Sequence, residues 1–290
     1  MTAAAADRYK DELLRDRHGL ELPDLEGALT GNPVFRAVSP EGLLVLTLRG
    51  AQLPTQLLDR VYRFRLMQYL QRGWANAAVV AERGLRVEPY DEVALRDFHT
   101  LVVEADTGRL RGYGTLAAAR DLGETVLGDP GHRPFVIERD YGFRLADHLG
   151  AATSSSLVWE GKRLVRDYAM PRSQAAVSVP WWVYLAWAAA CAEVLSHENG
   201  AVVGDGKSDG AIHQLRLLGF AAQRLDLASL PPDPADLFAP MWSQEERSYP
   251  FILRYADTLK PTLAHLEEVL MSGQDGSVRA RLVEFMEARA

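Results

Sequence analysis

The feature that most restricts the fold of this chain is a tight turn between two strand-like segments. "FHTLVVEA" and "RLRGYGTLAAA" are joined by "DTG", in which Gly108 suits the positive φ of a short loop. Two strands joined by so short a loop have to pair in the antiparallel sense. The chain is therefore predicted to contain an antiparallel hairpin, and the other elements have to be arranged around the sheet that includes it.

The other segments predict strands and helices on either side of this hairpin. Apolar periodicity and capping residues indicate the following order: helix 7–17, strand 43–48, a helix after Pro54, the hairpin, helix 139–149, strand 157–165, helix 180–197, strand 200–206, helix 208–219 and strand 221–227. Such an order predicts an α/β (α+β) fold in which a mixed sheet carries helices on both faces.

The Pro-rich segment "LPPDPADLFAP" indicates a boundary near residue 230. Residues 1–42 are interpreted as an N-terminal extension, 43–230 as the main domain and 231–290 as a helical C-terminal extension packed on it. In the last part the apolar stripe of a predicted helix consists of Leu263, Leu266, Val269 and Leu270.

Composition excludes several classes of protein. The net charge of −7 gives no general attraction to nucleic acid or anionic membranes. The single cysteine, Cys191, rules out an internal disulfide and a cysteine-cluster zinc site, and the histidines are too scattered to predict a metal centre. The longest apolar run is interrupted by Pro180 and is interpreted as a buried helix. No signal peptide is recognised, so a cytoplasmic location is expected.

The strand 157–165 has charges at its centre, in "VWEGKRL". One explanation is an edge strand that uses solvated charges against aggregation. The other is a β-bulge near Gly161, which would bring Glu160 and Arg163 to the same face and open the strand towards a ligand. Both explanations are left open by the strand itself.

A second acidic group precedes the hairpin, in "RVEPYDE". Glu88 and Asp91 flank Tyr90, and paired carboxylates near a pocket suit an amine, either by binding its ammonium form or by accepting its proton. The alternative is a solvated loop with no chemical role.

The order of these motifs resembles the GNAT acyltransferase superfamily, in particular its autoinducer-synthase-like branch of acyl-homoserine-lactone and N-acyl amino acid synthases. The resemblance covers roughly residues 43–226 and rests on "YRFR", "EPYD", "GYGTL", "WEGKR" and "LLGF". It implies a mostly antiparallel sheet flanked by helices and an enzyme that transfers an acyl group from a thioester to an amine.

Carried over position by position, the resemblance implies roles for several residues. Arg65 matches an active-site arginine on a helix, Glu88 and Asp91 match the acidic pair at the acceptor site, and Glu160 and Arg163 match the E-x-x-R motif whose carboxylate is the proposed base. Trp74 is close to a family tryptophan, with a spacing that differs by one. Thr115 stands where the family has a hairpin arginine, so the likeness does not extend to a homoserine-lactone acceptor.

The donor site also departs from the family pattern. The Gly-rich turn that binds the pyrophosphate of coenzyme A in ordinary GNAT enzymes is replaced by "DYAMPRSQAAVSVPWW", where Arg172 could meet a phosphate. A carrier-protein thioester is therefore as acceptable a donor as the free coenzyme. Many GNAT enzymes have a tyrosine that acts as general acid at the position of Leu215. In this chain Tyr168, Tyr184 or His213 would have to take over that role.

The resulting hypothesis is an N-acyltransferase with no permanently bound cofactor. Its donor would be acyl-CoA or an acyl carrier protein, its acceptor a small-molecule amine, and its oligomeric state is undetermined. The substrate-binding candidates are Arg65, Trp74, Tyr90, Thr115, Trp159 and Arg172. Two alternatives stay open: a transferase that uses aminoacyl-tRNA, which would need a local basic surface, and a non-catalytic protein that binds acyl ligands.

Overall fold

A computed structural model describes residues 2–16, 20–22, 24–89, 95–121, 124–206, 209–231, 239–242, 248–273 and 277–289, without the side chains of Arg163 and Asp209. One sheet contains eight described strands: β1 Phe35–Val38, β2 Leu43–Arg49, β3 Phe98–Glu104, β4 Leu110–Ala118, β5 Val158–Arg166, β6 Ala201–Gly206, β7 Ala221–Arg224 and β8 Tyr249–Arg254. Their order in space is β1-β2-β3-β4-β5-β6-β8-β7.

Six of the seven described strand pairs are antiparallel, and β5 with β6 is the parallel one. The sequence-based prediction of a mixed, mostly antiparallel sheet is thus confirmed. The hairpin is β3 and β4, and Gly108 in its loop has a φ of +67°, as the turn required.

The helices cover both faces of the sheet. In chain order they are α1 Ala3–Arg15, α2 Leu25–Ala28, α3 Thr55–Arg72, α4 Ala77–Glu82, α5 Val136–Tyr141, α6 Ala146–Leu149, α7 Gln174–Leu195, α8 Asp209–Leu217, α9 Leu259–Met271 and α10 Val278–Glu287. Helix α7 packs with α8, α9 and α10 on one face, here called the α7 face. Helices α1 and α3 cover β2, β3 and β4 on the opposite face, the α3 face, and α5 lies on the same side against β5 and β6.

Helix α7 begins earlier than the sequence indicated. Its N-cap is Ser173, whose side chain accepts a hydrogen bond from the backbone of Ala176, and Pro180 lies inside the helix instead of at its start. The helix is long and apolar enough to cross a membrane, but 56% of its most apolar window is buried in the protein. Trp182 and Trp187 are among its fully buried side chains.

The last part of the chain differs from the expectation of helices alone. Residues 249–254 form β8, which pairs with both β6 and β7 and so completes the sheet. Strand β1 was likewise not anticipated. Helices α9 and α10 are present, and α9 buries the predicted stripe of Leu263, Leu266, Val269 and Leu270. The division of the chain at residues 42 and 230 stays a prediction.

Candidate active site

Strand β5 is interrupted, two residues later than the sequence indicated. Its register with β4 pairs Lys162 with Thr115 and Val165 with Tyr113, so that two residues of β5 lie opposite Gly114 alone. This is a β-bulge at residues 163 and 164. The prediction of a bulge in this strand is confirmed, and its placement at Gly161 is wrong, because Gly161 is regularly paired with Leu116.

The position of the bulge decides which charged residue accompanies Glu160. Regular alternation over residues 160–162 places Glu160 and Lys162 on the same face, and the Lys162 Nζ lies 2.8 Å from the Glu160 Oε2. The expected partner was Arg163, whose side chain lies outside the described residues. Lys162 is therefore the cation beside Glu160, where the sequence analysis expected Arg163.

Strands β5 and β6 part beside this pair. Their parallel pairing runs from Val158 and Ala201 to Gly161 and Gly204, although both strands continue further. At the last pair the backbones are so close that a Cβ on Gly204 would lie 2.7 Å from the carbonyl oxygen of Gly161. The opening expected along β5 thus begins directly after Gly161.

Glu160 is buried and its carboxylate is already well occupied. Besides Lys162, it accepts hydrogen bonds from the backbone N–H of Ile137 at 2.8 Å and of Val136 at 3.3 Å, at the start of α5. Three donors around one carboxylate fix its position. Because they occupy its oxygens, the geometry favours an anchoring role for Glu160.

Glu88 and Arg65 form a second buried pair on the α3 face. The Arg65 Nη2 donates to the Glu88 Oε1 at 2.6 Å, and both side chains have exposures of 2% or less. Glu88 is held beside α3 because its backbone N–H donates to the carbonyl oxygen of Tyr62. Burial raises the pKa of Glu88 to about 7, although Arg65 and Lys162 both oppose the shift. This carboxyl group can therefore both lose and gain a proton near neutral pH.

The floor of this region contains groups that the sequence interpretation missed. The Arg65 guanidinium lies 5.5 Å from the centre of the Tyr113 ring, and the Tyr113 hydroxyl is 2.8 Å from the His99 Nδ1. Burial lowers the pKa of His99 to about 4, so the imidazole is neutral. Period-2 alternation counted from the loop at Gly108 would have put the two side chains on opposite faces. A bulge in β4, where Val103 pairs with Leu110 but Val102 with Gly112, brings Tyr113 to the α3 face beside His99.

A further acidic group lies on the β6 side of the opening. The Tyr141 hydroxyl donates to the Asp205 Oδ2 at 3.2 Å and lies 2.6 Å from the Ser248 Oγ. Partial desolvation of the Asp140 carboxyl, followed by the charges of Asp205 and Glu160, raises the pKa of Asp140 to about 6. These residues are far apart in sequence, and the pairing of β6 with β8 brings them together.

The remaining candidates are dispersed. Thr115 is buried opposite Lys162, and its hydroxyl donates to the carbonyl oxygen of Phe98. Trp159 packs against Phe98 in the core under α7, on the face opposite to Glu160, so the structure does not bring it to the other candidates.

Trp74 is half-buried beside Tyr168, and Arg172 is exposed in the turn between β5 and α7. Tyr90 and Asp91 lie outside the described residues.

Leu215, which stands at the position of the general-acid tyrosine of many GNAT enzymes, is part of the buried core. Of its possible substitutes, Tyr184 is bonded through its hydroxyl to the Gln214 Oε1, and burial raises its pKa to about 12. Within the described residues, no group of three His, Cys, Asp or Glu side chains is placed to hold a metal ion.

No protein-family model matches the chain, and no curated protein matches it. Solved structures similar to it include the AHL synthase LasI, with 15% identity, a TM-score of 0.48 and coverage of 76% of this chain and 94% of LasI. A CoA-dependent acyl-homoserine lactone synthase, BjaI with SAM and isopentyl-CoA, has 17% identity, a TM-score of 0.47 and coverage of 81% and 96%. Another CoA-dependent acyl-homoserine lactone synthase, MesI, has 14% identity, a TM-score of 0.43 and coverage of 77% of this chain and 91% of MesI. These proteins are of the class that the sequence motifs resemble.

Proposed function

We propose that this chain is an N-acyltransferase that moves an acyl group from a thioester to the amine of a small molecule or amino acid. The observation that carries the proposal is the parting of β5 and β6 directly beside a buried carboxylate–ammonium pair, on the side of the sheet where Glu88 lies. The opening leaves the backbone of β5 after Gly161 without a paired strand on its β6 side, and a linear thioester can lie along such a backbone. The carboxylates supply the proton acceptor that an amine nucleophile needs.

The reaction is a direct attack. The nitrogen lone pair of the acceptor amine adds to the thioester carbonyl, the C–N bond forms and the C–S bond breaks. One proton of the amine passes to Glu88, whose pKa of about 7 suits this role, and from there to the departing sulfur, which leaves as a thiol. The other proton stays on the amide nitrogen. Lys162 and a backbone N–H released by the bulge are available to stabilise the oxyanion.

Two carriers of the acyl group remain equivalent for this chemistry, acyl-CoA and an acyl carrier protein. The acceptor has to present an uncharged amine near Glu88, and Asp140 and Asp205 favour an acceptor that carries positive charge before it reacts. The proposal is tested by incubating the protein with several acyl thioesters and a set of small amines, and by measuring acylated product by mass spectrometry together with released thiol.

Glu88→Gln gives the sharpest test of the mechanism. Loss of the base is expected to lower kcat about 10²–10⁴-fold. In the wild-type protein kcat/KM should rise with pH up to about 7, because Glu88 has to be ionised, and the variant should lose this limb of the profile. Glu193→Gln is the matched control, since Glu193 forms an exposed ion pair with Arg49 at the far end of α7.

The alternatives predict different results. A non-catalytic acyl-ligand protein would bind the thioester saturably and release no thiol. A transferase that uses aminoacyl-tRNA would lose activity after nuclease treatment, whereas the proposed enzyme would keep it. Full turnover by Glu88→Gln would remove Glu88 as the base and would leave the assignment of the reaction class intact.

A further inference from the structure

A short segment from the last part of the chain, residues 239–242, lies against the C-terminal end of α3. Its first three residues form a turn of 3₁₀ helix. The carbonyl oxygen of Met241 accepts a hydrogen bond from the backbone N–H of Asn76 at 2.7 Å, and Trp242 pairs with Ala75 in an isolated antiparallel bridge. Backbone contacts therefore fix the segment beside the loop that joins α3 to α4.

The two large side chains of this segment are part of the core on the α3 face. Met241 has no exposed surface, and Trp242 is half-buried. The Trp242 indole meets the Tyr69 ring edge-on, with the ring centres 5.5 Å apart, and the Trp74 indole lies 6.1 Å from the same ring. Contacts with two indoles restrict the orientation of the Tyr69 ring.

Tyr69 connects these indoles to the Arg65–Glu88 pair. Arg65 and Tyr69 are four residues apart on α3, so their side chains lie on the same face of the helix. The Tyr69 hydroxyl is hydrogen-bonded to the Arg65 side chain, whose Nη2 donates to the Glu88 Oε1 at 2.6 Å. A continuous series of contacts thus runs from Trp242 through Tyr69 and Arg65 to Glu88.

We propose that the segment 239–242 is a wall of the acceptor site and that Trp242 is a positioning residue. Trp242 fixes the ring of Tyr69, the Tyr69 hydroxyl holds the guanidinium of Arg65, and the guanidinium orients the carboxylate of Glu88. The part that this plays in catalysis rests on the proposed function, in which Glu88 is the base.

The wall also determines how well the pair is shielded from water. Glu88 has no exposed surface, and burial is what raises its pKa to about 7. Trp242 covers Tyr69, which is itself 7% exposed, so loss of the indole opens a way for water towards the pair. Two consequences are expected: a misplaced carboxylate and a lower pKa of Glu88.

The first test compares Trp242→Leu with Trp242→Phe, which keeps an aromatic ring. Trp242→Leu is expected to lower kcat up to about 10²-fold with a smaller change in KM, and to move the rising limb of the pH profile of kcat/KM to lower pH. Trp242→Phe should restore most of both. Trp181→Leu is the matched control, because Trp181 is a half-buried indole that contacts Tyr184 on the α7 face.

Tyr69→Phe tests the link between the wall and the pair. It removes the hydroxyl and keeps the ring against which Trp242 packs. Loss of one hydrogen bond to a charged group corresponds to about a tenfold fall in kcat. Trp242→Leu should cost less in the Tyr69→Phe background than alone, because both variants act through the same hydroxyl. Fully additive effects, or a wild-type kcat in Tyr69→Phe, overturn the link.

A second measurement needs no turnover. Because the pKa of Glu88 is raised from 4.5 to about 7, the folded protein binds more protons than the unfolded chain between these pH values. Its stability relative to Glu88→Gln therefore falls as pH rises through this range. Urea unfolding at pH 5 and pH 8, with and without Glu88→Gln, measures this fall. It should be smaller in Trp242→Leu and unchanged in Trp181→Leu.

The two measurements separate the wall from the reaction. A smaller fall in Trp242→Leu supports the wall even if no acyl transfer is found, and the proposed function then fails alone. Acyl transfer with a wild-type kcat and pH limb in Trp242→Leu overturns the positioning role and leaves the proposed function standing. Trp242→Met, with a longer apolar side chain, takes the place of the leucine variant if that variant does not fold, and the same results decide.

Discussion

Two buried carboxylates on the same side of the sheet, Glu88 and Glu160, differ in what surrounds them. Each has a cation at hydrogen-bond distance, Arg65 for Glu88 and Lys162 for Glu160. Glu160 in addition accepts two backbone N–H groups at the start of α5. Glu88 has no exposed surface, and burial dominates its titration despite the neighbouring guanidinium.

The difference shows that an ion pair alone does not determine what a buried carboxylate can do. The two backbone donors hold the Glu160 carboxylate in place and make it a fixed anchor between β5 and α5. The fully desolvated Glu88 instead has its pKa raised into the range where a proton can be exchanged at neutral pH. Mutations that break each pair separately measure this difference.

The largest effect on stability is expected from Arg65→Leu. It leaves the Glu88 carboxylate buried without its guanidinium, and breaking a buried pair in this way costs about 3–5 kcal/mol. Urea unfolding measures the change. Arg63→Leu is the matched control on the same helix, because Arg63 pairs with the half-exposed Asp16 and the loss should stay below about 1 kcal/mol.

The double variant Arg65→Leu/Glu88→Leu sharpens this prediction, because removing both charges should restore much of the lost stability. A double variant as unstable as the single one would show that Arg65 acts mainly through its packing against Tyr62 and Tyr113.

Glu160→Gln is expected to lower the free energy of unfolding by a smaller amount, about 1–3 kcal/mol. The amide of glutamine has an NH2 group in place of one carboxylate oxygen, so this group would face the N–H donors that now bind to Glu160. Turnover should be retained to a much greater extent than in Glu88→Gln if Glu160 is an anchor. Thermal unfolding and the acyl-transfer assay measure the two effects, with Glu193→Gln as the exposed control. Loss of turnover with unchanged stability would restore Glu160 to the role of base.

The features that could be predicted from the sequence are local ones. The tight turn at Gly108 and the apolar period of α3 are local features, so the hairpin, the class of the sheet and the placement of Arg65 on a helix could be predicted. The charged stretch of β5 allows either a bulge or an edge strand, so the bulge could be predicted only as one of two explanations. These features depend on residues close together in the chain.

What could not be predicted depends on contacts between distant elements. A Cβ on Gly161 would lie 2.7 Å from the Trp187 ring, so the glycine is needed for the close packing of α7 on the sheet. The bulge itself forms two residues later. Pro180 is tolerated inside α7, and Arg166 approaches the carbonyl that the proline leaves. Strand β8 depends on its pairing with β6 and β7, which no local pattern in "YPFILR" reveals.

Lys162→Met is expected to have the smallest effect on stability, about 1 kcal/mol or less, because the Glu160 carboxylate keeps its two backbone donors and the lysine is partly exposed. Its informative effect is electrostatic. Lys162 lowers the pKa of Glu88, so its removal should move the rising limb of the pH profile of kcat/KM to higher pH. Lys260→Met, on α9, is the control. An unmoved limb would mean that Lys162 does not act on Glu88 and pairs with Glu160 alone.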